Sequence, residues 1–232
     1  RKRILRDIRK EKGKYISIFL FLTFMISIVS GMLVTSLSMM HTYDDGIETY
    51  KLEDGHFSTN SEISVADLQK IADQTDSGTA KATIYKQYFY NFDYTFEGNS
   101  NYSIRLYENR EALNTYSVFE GHAPEKDGEL AIDRLFAENN NLKIGDTLTF
   151  DGKDLTICGT VAVPDYSCLF EKNSDSMFSA TTFTMGFVTA DYFKEFSESK
   201  LTYSFAYRFS DRNLDDRASY DASTDLMNTL SK

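Results

Sequence analysis

The side chains best suited to metal or nucleophilic chemistry are three histidines and two cysteines, and they are widely scattered. They are His41, His56, His122, Cys158 and Cys168. Zinc sites and cysteine–histidine catalytic pairs are recognised by short, characteristic ligand spacings. No histidine here stands at such a spacing from a cysteine or a carboxylate, so the pattern predicts no metal site. His122 is interpreted as an exposed loop residue.

Motifs of the common hydrolases and nucleotidases are absent from the sequence. It contains no G-x-x-x-x-G-K-[ST], no G-x-S-x-G and no H-E-x-x-H. The first motif holds the phosphates of ATP, the second presents a nucleophilic serine and the third binds a catalytic zinc. The sequence therefore predicts a non-catalytic chain with no cofactor.

The element that must position the rest of the chain is an apolar stretch near the N-terminus. Residues 15–40 include no charged side chain over 26 positions. A helix of that length is about 39 Å long, which exceeds the roughly 30 Å hydrocarbon core of a bilayer. We therefore predict a transmembrane helix over 15–40. Its length, and the lack of an A-x-A-like cleavage site after it, favour a retained anchor over a cleaved signal peptide.

Charge is divided unequally between the two flanks of this stretch. Residues 1–14 carry eight basic and two acidic side chains, whereas residues 41–232 carry 17 basic and 33 acidic ones. Because basic residues gather on the cytoplasmic side of a span, we predict a cytoplasmic elbow over 1–14 and an extracytoplasmic part over 41–232. The acidic balance of the outer part argues against a nucleic-acid partner. The elbow residues expected to contact membrane lipid are Arg1, Lys2, Arg3, Arg6, Arg9 and Lys10.

Small side chains recur every four residues within the predicted span. Thr23, Ser27, Gly31 and Thr35 would form a ridge along one side of the helix. Such ridges let a second membrane helix approach closely. The pattern predicts a helix-packing face.

Both cysteines lie in the predicted outer compartment, where a disulfide can persist. Their spacing suits a bridge from a strand to the loop that follows it. A Cys158–Cys168 disulfide and two reduced, half-buried thiols remain open alternatives.

Short strand and helix patterns alternate through the outer part and predict an α+β fold, a mixed α/β domain that begins with a helical stalk over 41–55. Ser64, Asp133 and Thr189 are predicted helix caps, with Leu135, Phe136 and Ala137 facing inward after Asp133. Asp151-Gly152 predicts a two-residue hairpin turn. Alternating aromatic residues over 81–97 favour one packed face of a sheet over an exposed ligand surface. The predicted strands are 56–59, 81–97, 102–107, 129–132, 147–150, 155–161, 183–188 and 201–209.

The most specific stretch of the outer part runs from 120 to 161, EGHAPEKDGELAIDRLFAENNNLKIGDTLTFDGKDLTICGTV. It contains an E-G-x-x-P loop, a G-E pair before a strand, and a hydrophobic-x-hydrophobic-G-D turn into a hairpin. In this order it resembles the extracytoplasmic core domain of FtsX/MacB-type permeases of ABC transporters. The run RDIRKEKGKYISIFL, residues 6–20, is similar to the cytoplasmic elbow and first span of that family. The residues that match the family motifs in the outer part are Glu120, Gly121, Pro124, Gly128, Glu129, Leu142, Ile144, Gly145 and Asp146.

The resemblance implies a permease subunit in a bacterial cell membrane, with a separate cytoplasmic ABC ATPase and a second permease copy or homologue as partners. It also implies further membrane helices beyond Lys232 and a role in exporting a lipid-like or peptide substrate, or in passing force to envelope proteins. A loop over 164–182 is a candidate contact surface for an extracytoplasmic accessory protein, and a loop folded over its own core is the equal alternative. A single-pass anchored ligand-binding or sensor module is the alternative function. A third reading, an anchored enzyme, lacks any recognisable set of catalytic residues.

Overall fold

The N-terminal unit is one long helix. The computed structural model describes residues 12–75, 81–96, 99–166 and 180–231. Helix α1, Lys12–Thr49, is unbroken over 38 residues and is a unit separate from the rest of the chain. Within the described part of the chain it is the one helix whose length and composition would allow it to cross a bilayer. The elbow residues Arg1, Lys2, Arg3, Arg6, Arg9 and Lys10 lie outside the described residues.

Helix α1 extends beyond the predicted span of 15–40, but it ends earlier than predicted. A stalk reaching residue 55 is wrong: the helix stops at Thr49, Lys51 adopts a left-handed backbone with φ of 50°, and Gly55 already begins a strand. A left-handed residue cannot continue a right-handed helix, so it separates the two elements.

The second unit, residues 50–232, is a mixed α/β domain, which confirms the predicted fold class. Its described strands are β1 Gly55–Thr59, β2 Ala82–Lys86, β3 Phe89–Phe96, β4 Asn99–Glu108, β5 Ser117–Gly121, β6 Glu129–Asp133, β7 Thr147–Phe150, β8 Lys153–Ala162, β9 Phe183–Val188 and β10 Leu201–Phe209. Its described α-helices are α2 Val65–Ala72, α3 Arg134–Asn139, α4 Ala190–Phe193 and α5 Asp216–Leu230. Short 3₁₀ turns occupy Pro164–Tyr166 and Glu198–Lys200.

These strands join in one sheet of order β1-β10-β3-β4-β9-β6-β8-β5, with β2 also pairing β10 and β7 also pairing β8. The pairs β4–β9 and β6–β8 are parallel, and the remaining pairs are antiparallel. All six residues of β9 are buried, as expected of a strand covered on both faces. The sheet therefore has side chains packed against both of its faces.

The main core is rich in aromatic side chains. Phe92 and Tyr94 of β3 are 1% and 6% exposed and pack against Phe150 and Phe196. The aromatic hairpin formed by β3 and β4 therefore faces the core at these described residues, as favoured from the sequence. A second, smaller cluster contains Tyr107, Cys158, Val161, Phe183, Met185 and Phe187.

Local signals in the sequence predicted many of these elements. Ser64, Asp133 and Thr189 each accept a hydrogen bond from a backbone N–H of the helix that follows. Asp151 and Gly152 both have positive φ in the hairpin between β7 and β8.

One inward-facing assignment and one strand were wrong. Leu135 is 42% exposed, because its neighbours Phe136 and Ala137 supply the buried face of α3. The single strand predicted over 81–97 is two strands, β2 and β3, which both pair with β10.

Candidate functional site: the loops around strand β8

Three loops that carry family-motif residues, although spread over 27 positions of sequence, meet at one short segment of β8, Thr156–Gly159. The backbone N–H of His122 donates to the carbonyl of Cys158 at 3.1 Å, and the N–H of Gly145 donates to that of Ile157 at 2.8 Å. The N–H of Thr156 donates to the carbonyl of Gly128 at 2.8 Å. Three separate loops are thus attached to the same four residues.

Two glycines allow the first of these loops to reach β8. Gly121 has φ of 79°, and a Cβ on it would overlap the carbonyl oxygen of Cys158. A Cβ on Gly159 would overlap the carbonyl oxygen of His122. Gly121 and Gly159 are direct partners in the β5–β8 pairing. Glycine is therefore needed on both strands at this crossing.

The other motif residues shape the turns. Gly128 and Gly145 have φ of 82° and 96°, which favours glycine at both positions. Asp146 Oδ2 accepts a hydrogen bond from the N–H of Lys143 at 2.8 Å, which closes the turn before β7. Pro124 is buried, whereas Glu120 is exposed.

Cys158 occupies a bulge in β8. Leu130 of β6 is opposite Ile157, but the next residue, Ala131, is opposite Gly159, so Cys158 is the extra residue between them. Bulges change the direction of a side chain and often lie beside functional sites. Burial raises the pKa of the Cys158 thiol to about 11. Cys168 lies outside the described residues, so the predicted disulfide stays a prediction.

The bulge brings three side chains of different chemistry together. One ligand atom from each of His122, Glu129 and Cys158 lies within 4.8 Å of the others. Glu129 Oε2 accepts hydrogen bonds from the backbone N–H groups of Glu125 and Lys126 at 2.8 and 3.1 Å, and these hold the pKa of Glu129 below its usual value. Imidazole, carboxylate and thiol are the donor types that bind transition metals. These three residues could hold a metal ion.

Spacing in the sequence could not have indicated this cluster. His122 is seven residues before Glu129, and Cys158 is 29 residues after it. The signal that could have found the cluster is that all three residues lie within the motif stretch 120–161. His122 is an exposed loop residue, as predicted from the sequence.

A second polar cluster was missed from the sequence. Arg110 Nη1 lies 2.7 Å from Asp165 Oδ2, and its guanidinium lies 4.0 Å from the ring centroid of Tyr107. Arg105 Nη1 donates to the hydroxyl of Tyr166 at 2.6 Å. The beginning of the predicted contact loop 164–182 is therefore attached to the end of β4. Residues 167–179 of that loop lie outside the described residues.

The small-residue ridge lies on α1. Thr23, Ser27, Gly31 and Thr35 all belong to this helix, and all four are exposed. A Cβ on Gly31 would have no atom within 4 Å. The ridge is therefore accessible on the described helix, and its packing partner stays a prediction.

Together these features define a class: a chain with a candidate membrane span in its described part and a mixed α/β domain whose motif loops converge on strand β8. A scan against protein-family models and a search of curated proteins find no match to the sequence.

Two solved structures are similar in fold. The periplasmic region of MacB from Actinobacillus actinomycetemcomitans is 9% identical at a TM-score of 0.41, with 76% of this chain and 83% of that chain covered. The extracellular domain of the noncanonic ABC-type transporter YknZ from Gram-positive bacteria is 8% identical at a TM-score of 0.37, with 76% and 94% covered.

Both similar structures are outer domains of the kind that the motifs resemble, and the likeness is one of fold alone. We therefore infer function from this chain's own residues.

Proposed function

We propose that this chain is a permease subunit of an FtsX/MacB-type ABC transporter in a bacterial cell membrane. The observation that carries the proposal is the convergence of the family-motif loops on Thr156–Gly159, in a chain that also contains a helix of membrane length. Motif residues that were matched only by their order in the sequence form one connected structure. A chance match of scattered glycines and acidic residues gives no reason for such convergence.

The length of α1 supports a connecting role. Its 38 residues correspond to about 57 Å, whereas a hydrocarbon core needs roughly 30 Å. The excess is enough for several helical turns in water beyond the membrane. In the proposed function this stalk transmits movement between a cytoplasmic ATPase and the outer domain.

The partners follow from the resemblance to such permeases. Residues 1–232 contain no phosphate-binding G-x-x-x-x-G-K-[ST] motif, and ATP hydrolysis is proposed to take place on a separate cytoplasmic chain. The ridge of Thr23, Ser27, Gly31 and Thr35 is proposed to pack against a helix of a second permease copy or homologue. The cargo is a lipid-like or peptide substrate, or the output is force on an envelope protein.

The sensor alternative has less support from the outer domain. Its proposed ligand surface, the aromatic hairpin, is buried at Phe92 and Tyr94. Two cavities lined by described residues of this domain measure ≈ 200 and ≈ 260 Å³. Both are below the roughly 300–1,000 Å³ that is typical of small-molecule sites.

The test is purification of the tagged full-length protein from membranes of its own host in mild detergent. We expect a co-purifying chain that carries the phosphate-binding motif, identified by mass spectrometry, together with vanadate-sensitive ATP hydrolysis in the eluate. A tagged single-pass protein from the same membranes is the control. An eluate without such a chain and without ATPase activity above this control would contradict the proposal and favour the sensor alternative.

Orientation is tested separately by labelling with a membrane-impermeant maleimide. Tyr220 is 71% exposed on α5, so Tyr220→Cys should react in intact cells whose outer envelope is permeable to the reagent. Lys2→Cys, in the predicted elbow, should react only after the inner membrane is opened, and both variants carry alanine at Cys158 and Cys168 so that neither of these thiols is labelled. The reverse pattern would contradict the proposed topology.

A further inference from the structure

We propose that His122, Glu129 and Cys158 form a binding site for a divalent transition metal, with Zn²⁺ as the best-fitting ion. The inference goes beyond the proposed permease function and does not depend on it. It rests on the arrangement of the three side chains and of the backbone groups that orient them.

The distances suit a metal site that needs a small closure. The three ligand atoms lie within 4.8 Å of one another. Tetrahedral zinc with bonds of about 2.0–2.3 Å separates its ligands by about 3.5 Å. The separations therefore exceed this spacing by at most about 1.3 Å. His122 is exposed on a loop, so its position can adjust by such an amount without moving the core.

The lone pairs of His122 and Glu129 are already directed by backbone groups. His122 Nδ1 lies 2.8 Å from the carbonyl oxygen of Ala123. Because a carbonyl can only accept, Nδ1 carries the proton in this arrangement, and Nε2 keeps the lone pair that coordination requires. Glu129 Oε2 accepts from two backbone N–H groups, so the lone pairs of Oε1 are the ones that remain for coordination. Backbone orientation of this kind is typical of residues around a metal ion.

The third ligand is supplied by the bulge in β8. Cys158 is the residue without a β6 partner, and its Sγ lies 3.4 Å from the carbonyl oxygen of His122. This distance shows that the sulfur faces the loop that carries His122. Zinc binding displaces the thiol proton, because the thiolate is the form that coordinates metal. One thiolate, one carboxylate and one neutral imidazole together balance the charge of a divalent cation.

The site has the composition of a three-ligand zinc centre. Sulfur, nitrogen and oxygen donors suit zinc and other first-row ions better than the all-oxygen ions calcium and magnesium. Three protein ligands leave a fourth position for water or for a donor from a partner molecule. The metal would join the loop after β5, the start of β6 and the bulge of β8, and would brace the loop cluster that contains the motif residues.

The experiment is a metal titration of the full-length chain in detergent after removal of metals with a chelator. Zn²⁺ binding is measured by calorimetry, and Co²⁺ is used as a spectroscopic probe, since a thiolate ligand gives a near-ultraviolet charge-transfer band. We expect one ion per chain and this band in the wild-type protein. His122→Ala changes an exposed residue, so it should keep the fold, which circular dichroism checks. It should weaken binding by at least the roughly 10–100-fold that loss of an outer-shell partner costs.

Two further variants identify the ligands. Glu129→Gln should weaken Zn²⁺ binding but retain the cobalt–thiolate band, whereas Cys158→Ser should abolish the band. His41→Ala, which removes an exposed histidine on α1, is the matched control and should bind as the wild type does. Zinc binding unchanged in His122→Ala, or a wild-type cobalt spectrum without the thiolate band, would overturn the proposal.

Discussion

The guanidinium of Arg110 lies 2.7 Å from the carboxylate of Asp165, and the two side chains are only 5% and 8% exposed. Arg110 follows β4, and Asp165 lies in the 3₁₀ turn after β8. Burial raises the pKa of Asp165, and the positive charge of Arg110 opposes that shift. The pair therefore keeps two charges in a site that would otherwise exclude them, and it attaches the start of the 164–182 loop to the sheet.

Removing one partner of this pair should be strongly destabilising. Arg110→Met leaves the Asp165 carboxylate buried without its counter-charge, which typically costs about 3–5 kcal/mol. The measurement is urea unfolding of the full-length chain in detergent, followed by tyrosine circular dichroism. Lys194→Met is the control, because its ion pair with Asp191 is 69% and 87% exposed, so solvent screening should leave a much smaller loss of stability. Equal losses in the two variants would show that burial does not govern the pair.

The close approach of β5 and β8 leaves no room for a side chain at Gly159. Gly159→Ala should destabilise the domain, because the new methyl group overlaps the carbonyl oxygen of His122 and lies 3.0 Å from that of Glu120. Overpacking against a backbone typically costs about 1–3 kcal/mol. Gly46→Ala is the control: its Cβ would meet nothing within 4 Å, and it lies on α1, a unit separate from the domain, so the unfolding of the domain should stay as in the wild type. The same unfolding measurement should show a loss for Gly159→Ala alone, and a Gly159→Ala domain as stable as the wild type would contradict the described packing.

Glu53 and His56 predict a pH window for stability. The hydrogen bond from His56 Nδ1 to Glu53 Oε1, at 2.7 Å, raises the pKa of His56 above 6.5, although burial opposes the shift. Burial alone would raise the pKa of Glu53, but its hydrogen bonds to His56 and Asn114 bring it below 4.5. The histidine contribution is complete below pH 6.5 and is lost as the pH rises through the folded pKa. The glutamate contribution is present above pH 4.5 and is lost as the pH falls through the folded pKa.

The pair should therefore add most stability between about pH 4.5 and pH 6.5. His56→Gln should lower the unfolding midpoint in this window and converge with the wild type at alkaline pH. Unfolding midpoints measured at intervals from pH 4 to pH 9 check this expectation. His41→Gln, on α1, is the control, and a wild-type advantage that persists unchanged at pH 9 would contradict the assigned ion pair.

The sequence indicated those parts of the fold that depend on local chemistry. Asp151-Gly152 predicts its hairpin because two consecutive left-handed residues match the twist of paired strands. Asp133 predicts the start of α3 because its carboxylate accepts from the free N–H of Phe136 at 3.1 Å. Neither feature requires knowledge of distant residues.

The parts of the fold that could not be predicted depend on contacts between residues that are far apart in the sequence. Arg110 and Asp165 are 55 positions apart, and the position of Cys158 beside His122 depends on a bulge that no local pattern marks. The orientation of Leu135 was also missed, because α3 has only six residues and its helical periodicity is too short to define a face. Tertiary packing, rather than propensity, decides each of these cases.

The small-residue ridge on α1 predicts that a bulky substitution on the ridge and one on the opposite face of the helix have different effects. Gly31→Leu places a branched side chain in the middle of the ridge and should prevent a second helix from approaching closely. Ser36→Leu adds similar bulk on the opposite face, about 160° round the helix from the middle of the ridge. Both residues are exposed on α1, so neither change disturbs packing within the described helix.

We expect Gly31→Leu to reduce chemical cross-linking between differently tagged copies of the chain in native membranes, and to reduce recovery of the co-purifying ATPase. Ser36→Leu should behave as the wild type. If Gly31→Leu retains full cross-linking and ATPase recovery, the helix serves as a plain anchor, because an anchor that only holds a domain at the membrane needs no packing face.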